Sequence, residues 1–219
     1  MNITLNGRAA LITGGSKGLG LAIAKMFAES GGHVAIVARG AESLAKAEAE
    51  IRAAAPGAKV VAVAADIRTA EGCEAAYAAA VKGLGQVDIL VNNAGTSQRG
   101  GFLEVSDALW QDDLDLKLFA AIRLGRLALP AMRDRKWGRV INVLNIGAKA
   151  PLAGSTPTSV SRAAGMALTK AMASEFAPHN VLVNAMLVGI IESDQWVRRH
   201  AAEKRNITWE DWKAEQGKA

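Results

Sequence analysis

The chain has 219 residues, of which 50% are apolar and 21% charged, and its formal net charge is +5. This length and composition suffice for one well-buried domain and exclude a disordered or fibrous chain. The positive charge is modest, and no aromatic residues are interleaved with the basic ones. A nucleic-acid binder is therefore poorly supported, and we expect no nucleic-acid partner.

Signals for targeting and metal binding are absent from the sequence. No apolar stretch has the length to span a bilayer, and the N-terminus lacks the pattern of a signal peptide. The single cysteine, Cys73, cannot form an internal disulfide, which is typical of a reducing compartment. We therefore expect a cytoplasmic protein with no membrane partner. The isolated histidines lack metal-ligand spacing, so we predict no metal site.

Short apolar runs alternate with helical patterns along the chain. Strands with little polar alternation are typical of a parallel sheet that is covered on both faces. Alternating strands and helices with short connections predict right-handed βαβ units. We therefore predict a single Rossmann-like α/β domain over residues 1–219, a doubly wound parallel sheet in three α/β/α layers. The predicted strands lie at 8–13, 33–38, 59–65, 87–95 (with its loop), 138–145 and 180–187, and the predicted helices at 18–30, 41–55, 70–83, 106–135 and 157–177.

The first predicted strand runs into the segment TGGSKGLG and then directly into a helix. Gly14 permits a tight turn, Gly18 lets the backbone approach a pyrophosphate, and Gly20 lets the helix pack close to the strand. The helix N-terminus offers N–H groups and a partial positive charge to phosphates. This context predicts a dinucleotide site.

The glycine spacing G-x-x-x-G-x-G, followed by NNAG at 92–95, resembles that of the short-chain dehydrogenase/reductase family. The segments GRVINV at 138–143 and VLVNAMLVG at 181–189 extend the resemblance over nearly the whole chain. Members of this family move a hydride between a nicotinamide cofactor and a carbonyl or alcohol. They normally continue through a seventh strand, for which we find no segment here.

The end of the second strand favours NADP(H) over NAD(H). Ala38 stands where NAD-binding members carry an acid, while Arg39 and Lys17 supply cations that suit a 2′-phosphate. The resemblance also implies an adenine contact at Asp66 and Ile67. The cofactor-binding residues that it implies are Gly14, Ser16, Lys17, Gly18, Leu19, Gly20, Arg39, Asp66, Ile67, Asn93, Ala94, Gly95, Arg162, Gly189 and Ser193.

The family's catalytic Asn, Ser, Tyr and Lys fall by spacing on Lys117, Asn145, Thr158 and Arg162. The only tyrosine, Tyr77, lies in another predicted helix, so no shift of register restores a tyrosine. Among the four residues, Asn145 can polarise a carbonyl. Lys117 is a candidate acid near neutral pH, if burial or Arg162 lowers its pKa. The alternative is a solvated or ion-paired lysine on a helix.

Two hypotheses about function follow. In the first, the protein is an oxidoreductase on an unknown carbonyl or alcohol, with Lys117, Thr158 or water as the proton source. In the second, it is a catalytically inactive nucleotide-binding protein, such as a sensor or a partner subunit. The resemblance further implies a homodimer or homotetramer through helices 106–135 and 157–177. It also implies a substrate lid at 190–219. This segment carries three of the five tryptophans, which are typical of an apolar lid or a partner surface, or of ordinary helix packing.

Overall fold

A computed structural model describes residues 3–189, 191, 197, 200–201 and 207–216. Six parallel strands form one sheet in the order β3-β2-β1-β4-β5-β6. The predicted doubly wound, Rossmann-like α/β fold is thereby confirmed. The strands are β1 (Ala9–Thr13), β2 (His33–Ala38), β3 (Val60–Ala64), β4 (Ile89–Asn92), β5 (Gly138–Asn145) and β6 (Val181–Val188).

Helices cover both faces of this sheet. They are α1 (Gly18–Glu29), α2 (Ala41–Ala54), α3 (Ala70–Leu84), α4 (Asp107–Leu114), α5 (Ala120–Asp134), α6 (Thr158–Phe176) and α7 (Trp209–Gln216). Short 3-10 turns follow β5 and α6 at Ile146–Ala148 and Ala177–His179. No helix among these ranges combines the length and hydropathy that crossing a bilayer requires.

The apolar strand residues alternate between two hydrophobic clusters, one on each face of the sheet. Leu11 packs into a cluster with residues of α3, α5 and α6, whereas its neighbour Ile12 packs into a cluster with residues of α1 and α2. This alternation follows from the period of two along a strand. Tyr77 lies in α3, as predicted, and packs against the first cluster.

The long helix predicted at 106–135 is interrupted in the structure. A five-residue π-helical turn, Asp115–Phe119, separates α4 from α5, and Lys117 lies at its centre. Ser106 caps the start of α4, because its hydroxyl accepts a hydrogen bond from the backbone N–H of Leu109 at 3.4 Å. π-Turns inside helices occur frequently at functional sites.

The segment predicted as a lid or partner surface, 190–219, falls partly outside the described residues. Within it, α7 begins after Thr208, whose hydroxyl accepts from the backbone N–H of Asp211 at 3.1 Å and donates to that carboxylate at 2.7 Å. Trp212 is fully buried, and its ring stacks on Trp209 with 5.5 Å between centroids. The role of this segment stays a prediction.

Candidate functional site

The glycine loop joins β1 to α1 at the carboxyl edge of the sheet. Gly14 has a φ of +67°, in the left-handed region that favours glycine. A Cβ placed on Gly20 would lie 2.2 Å from the carbonyl oxygen of Gly14, so only glycine lets the helix approach the strand this closely. Lys17 precedes α1 without a side-chain capping bond. The first N–H groups of α1 are therefore available to a ligand.

Residues just after β4 form hydrogen bonds to the start of the glycine loop. The Asn93 side-chain amide donates to the carbonyl oxygen of Thr13 at 2.9 Å. The Thr13 hydroxyl accepts from the backbone N–H groups of Asn93 and Ala94, both at 3.0 Å. Asn93 thus faces the backbone of the loop and fixes its shape. Its side-chain amide is therefore engaged with the loop, and the cofactor contact implied for Asn93 stays a prediction.

A cavity of about 160 Å³ lies beside this loop, between the ends of β1, β2 and β3 and the segment after β4. This position, where the strand order reverses, is where open α/β sheets bind ligands. The structure brings together here many of the predicted cofactor-binding residues. Those that line the cavity are Gly14, Arg39, Asp66, Ile67, Ala94 and Gly95.

The charges around this cavity favour an anionic ligand. Among the described residues that line it, Asp66 is the only acidic one, and it is ion-paired with Arg68 at 3.3 Å. Arg68 is also paired with Asp112 at 2.6 Å. Arg39 and Lys17 are exposed, and neither forms an ion pair with a described residue. The cations at the loop and at the end of β2 are therefore available to a phosphate.

A second group of predicted residues lies between the π-turn and the start of α6. The Lys117 ammonium donates to the Thr158 hydroxyl at 2.9 Å and is ion-paired with Asp113, and the side chains of Lys117 and Asp113 are both fully buried. The Thr158 hydroxyl also accepts from the backbone N–H of Gln98 at 3.0 Å and donates to the carbonyl oxygen of Gln98 at 2.7 Å. Thr158 thus ties the segment after β4 to α6.

Burial determines the protonation of Lys117. It lowers the pKa of Lys117 to about 8, Asp113 opposes this shift, and the nearby charge of Arg162 adds to it. An amine with a pKa near 8 exchanges protons close to neutral pH, as a general acid must. Lys117 is therefore not a solvated surface lysine, because its side chain is buried. It is ion-paired, and its partner is Asp113.

Arg162 connects the two groups of residues. Its guanidinium donates to the carbonyl oxygen of Val143 at 2.8 Å, at the end of β5. A Cβ on Gly95 would lie 2.5 Å from Arg162 Nη2 and 3.7 Å from Lys117 Cε, so the arginine packs directly against the wall of the cavity. Burial lowers the pKa of Arg162 to about 10, and Asp113 opposes this shift.

Polar atoms without a hydrogen-bond partner concentrate at this edge of the sheet. Thr96 Oγ1, Asn145 Oδ1 and Arg162 Nε are buried, and no described residue bonds to them. Buried polar atoms usually have partners, so these are groups that a bound ligand could satisfy. Together with a loop that only glycine can form, they fit a dinucleotide cofactor. Gly189 follows β6 and is exposed, while Ser193 lies outside the described residues.

Sequence reasoning missed three charged or polar residues of this site. Asp113 precedes Lys117 by four residues, a spacing that places two side chains on one face of a helix and was an available signal. Ser161 gave no such signal, because its partner Asp113 lies 48 positions away, and the contact of Arg68 with Asp112 likewise spans 44 positions.

Known proteins share this architecture and are similar in sequence. The sequence pattern of the short chain dehydrogenases matches residues 8–204. The 3-oxoacyl-acyl-carrier-protein reductase of Aquifex aeolicus is 34% identical over 194 residues, which are 89% of this chain and 78% of that protein.

Two solved structures extend this similarity to complexes with NADPH. L-Sorbose reductase from Gluconobacter frateurii, complexed with NADPH and L-sorbose, superposes with a TM-score of 0.92 at 35% identity, covering 97% of this chain and 81% of its own. An NADPH-bound short chain oxidoreductase from Pseudomonas aeruginosa PAO1, described as containing an atypical catalytic center, has a TM-score of 0.89 at 37% identity, with coverage of 99% and 82%. The chain therefore belongs to the short-chain dehydrogenase/reductase family.

Proposed function

We propose that the protein is an NADP(H)-dependent oxidoreductase that reduces a carbonyl, or oxidises an alcohol, with a rebuilt proton-donating centre. The observation that carries this proposal is the 2.9 Å hydrogen bond from the buried Lys117 ammonium to the Thr158 hydroxyl. This bond couples an amine that titrates near neutral pH to a hydroxyl at the start of α6.

The cofactor would bind along the carboxyl edge of the sheet. The glycine loop and the N-terminus of α1 would hold the pyrophosphate, and Arg39 with Lys17 would hold the 2′-phosphate. Arg162, with its buried and unpartnered Nε, would bind the ribose at the nicotinamide end. The NADPH complexes of two relatives support this choice of cofactor. When bound, the cofactor supplies or accepts the hydride.

The proton-donating centre replaces the four residues that the family uses. By spacing, Lys117, Asn145, Thr158 and Arg162 stand where members carry Asn, Ser, Tyr and Lys. An arginine holds its proton too tightly to pass it on, so Arg162 serves binding only. Lys117 takes over the role of proton source, because burial has lowered its pKa to about 8.

During carbonyl reduction, proton transfer would run through two residues of this chain. The Thr158 O–H turns from the Gln98 carbonyl to the substrate oxygen and donates its proton there. Lys117 Nζ then donates a proton to Thr158 Oγ1 and becomes a neutral amine, which regains a proton from solvent. The carbonyl carbon receives the hydride, the oxygen receives the proton, and an alcohol results. The Asn145 amide polarises the same oxygen by donating a hydrogen bond.

A second function, nucleotide binding without turnover, is favoured by one observation. The Thr158 hydroxyl already makes three hydrogen bonds, two of them to the backbone of Gln98. If this hydroxyl only anchors the segment after β4, no proton reaches the substrate through Thr158. The protein would then bind the nucleotide as a sensor or a partner subunit.

The experiment that separates the two functions combines binding and turnover. NADPH and NADH are titrated by fluorescence, and ketones and 3-oxoacyl thioesters are then screened for NADPH oxidation. On the first function, Thr158→Val abolishes turnover and Thr158→Ser retains it, because only the hydroxyl is needed. Turnover that survives in Thr158→Val would refute the proposed proton route. Binding without turnover by the unaltered chain would favour the second function.

Assembly into a homodimer or homotetramer stays a prediction. Exposed apolar side chains on α4, the π-turn and α6 support it, namely Leu109, Phe119 and Val160, which are 38%, 39% and 46% exposed.

A further inference from the structure

Asp113 is the most deeply buried carboxylate among the described residues. Its side chain is fully inaccessible, and it lies one helical turn before Lys117, with which it is ion-paired. Burying a carboxylate is unfavourable unless it is paired and hydrogen-bonded. Both of its oxygens are accordingly used, one by Lys117 and the other by Ser161.

Ser161 fixes the position of this carboxylate. Its hydroxyl donates to Asp113 Oδ2 at 2.6 Å, and the serine backbone belongs to the first turn of α6, next to Arg162. The carboxylate is therefore held from α6 on one side and contacts the ammonium of the π-turn on the other. Asp113 cannot move relative to Thr158 without breaking one of these bonds.

We propose that Asp113, clamped by the Ser161 hydroxyl, is a positioning residue that holds the Lys117 ammonium against Thr158 and keeps it protonated at neutral pH. The proposal rests on the proposed function of Lys117 as proton source. Without the carboxylate, Lys117 would be a buried amine next to a cation, and burial and that cation would both favour its neutral form.

Other charges near Lys117 act in both directions. Arg162 of α6 opposes protonation of the amine, and Asp112 of α4 favours it more weakly than Asp113 does. Asp112 is already paired with Arg68, so it cannot replace Asp113 as the direct partner. Asp113 is thus the charge that offsets the effect of burial on Lys117.

The test compares Asp113→Asn with Asp107→Asn, which removes an exposed carboxylate from the first turn of the same helix. The first readout needs no substrate. The free energy of unfolding is measured by chemical denaturation from pH 5 to 10.5, each time relative to Lys117→Met in the same background.

The direction in which the free energy of unfolding changes with pH follows from how many protons Lys117 binds in the folded and the unfolded chain. The pKa of Lys117 is about 8 in the folded chain and 10.5 for an ordinary lysine, so the unfolded chain binds more protons between these values. Stability relative to Lys117→Met therefore rises as pH increases from about 8 to about 10.5. In Asp113→Asn this rise begins about one to three pH units lower, because an opposite charge in contact shifts a pKa by that amount.

The second readout is the pH profile of NADPH-dependent reduction. In the unaltered chain the rate falls as pH rises through about 8, because the proton donor is lost. In Asp113→Asn this fall moves to lower pH by the same number of units as the stability profile. Asp107→Asn leaves both profiles unchanged.

Each outcome decides between the two proposals. A stability profile that stays in place in Asp113→Asn overturns the role of Asp113, whatever the activity. A shifted stability profile with an unmoved activity profile supports the role of Asp113 and refutes Lys117 as the proton source. If Asp113→Asn does not fold, Asp113→Ser removes the same charge and keeps a small hydroxyl near Ser161, and it is read in the same way.

Discussion

The glycine loop and the buried cluster around Lys117 lie at the same edge of one sheet, but they are held in different ways. The loop is shaped by contacts to its backbone, such as the hydrogen bond from the Asn93 side-chain amide to the carbonyl oxygen of Thr13 at 2.9 Å. The cluster is shaped by side-chain charges, with Asp113 and Lys117 paired away from solvent. The two regions meet where Gly95 packs against Arg162.

The two regions therefore tolerate different substitutions. The glycine loop depends on the absence of side chains, so an added Cβ disrupts its backbone. A buried charge pair depends on its balance, so it fails when either partner is removed, by about 3–5 kcal/mol of stability for a typical pair. Binding and proton transfer should therefore respond to different substitutions.

The largest expected effect is on turnover. Lys117→Met should lower the rate of carbonyl reduction by at least about 100-fold, the smallest contribution usual for a general acid. NADPH affinity, measured by fluorescence titration, should stay unchanged, because Lys117 is placed in the proton route and not in the cofactor cradle.

Two control variants accompany this substitution. Lys46→Met changes an exposed lysine paired with Glu42 and should alter neither property. The double variant Asp113→Asn/Lys117→Met removes both buried charges, so it distinguishes loss of the proton source from loss of folding. A parallel loss of NADPH affinity in this folded double variant would contradict the separation of the two regions.

The next effect is on binding. Gly20→Ala places a Cβ 2.2 Å from the Gly14 carbonyl oxygen and 2.5 Å from Asn93 Nδ2, so the loop must open. Overpacking of this kind costs about 1–3 kcal/mol, and we expect at least about tenfold weaker NADPH binding by titration calorimetry. Gly57→Ala is the matched control, because a Cβ there meets no atom within 4 Å. Equal affinities for the two variants would show that the loop does not hold the cofactor.

The smallest effect is on the choice between cofactors. Arg39→Ser should weaken NADPH binding by about fivefold, since an exposed charge pair contributes up to about 1 kcal/mol. NADH binding should not change, because NADH lacks the 2′-phosphate. Arg52→Ser, which removes an arginine paired with Glu48 on α2, is the control. An equal loss for both nucleotides would place Arg39 elsewhere than at the 2′-phosphate.

The contrast between the regions also explains what the sequence could reveal. The loop follows from local chemistry, since Gly14 and Gly20 lie within one turn and its adjoining helix, and their spacing predicts a shape. The strand pattern likewise predicted the sheet. The π-turn was not predicted, because a helix with one widened turn keeps almost the same apolar pattern.

The state of Lys117 could not be obtained from the sequence in the same way. Its partner Thr158 lies 41 positions away, and Ser161 reaches Asp113 across 48 positions. A lysine on a helix is usually solvated, and only the packing of α6 over the π-turn shows that this one is buried. The spacing of Asp113 and Lys117 indicated a pair but not its depth.

The bonds between Thr158 and Gln98 restrict how this site can change by single substitutions. The hydroxyl accepts from the backbone N–H of Gln98 at 3.0 Å and donates to the carbonyl oxygen of Gln98 at 2.7 Å. A tyrosine at this position would carry its hydroxyl several ångströms away, and both backbone groups of Gln98 would lose this partner. A tyrosine at position 158 would therefore require a new course for the segment after β4.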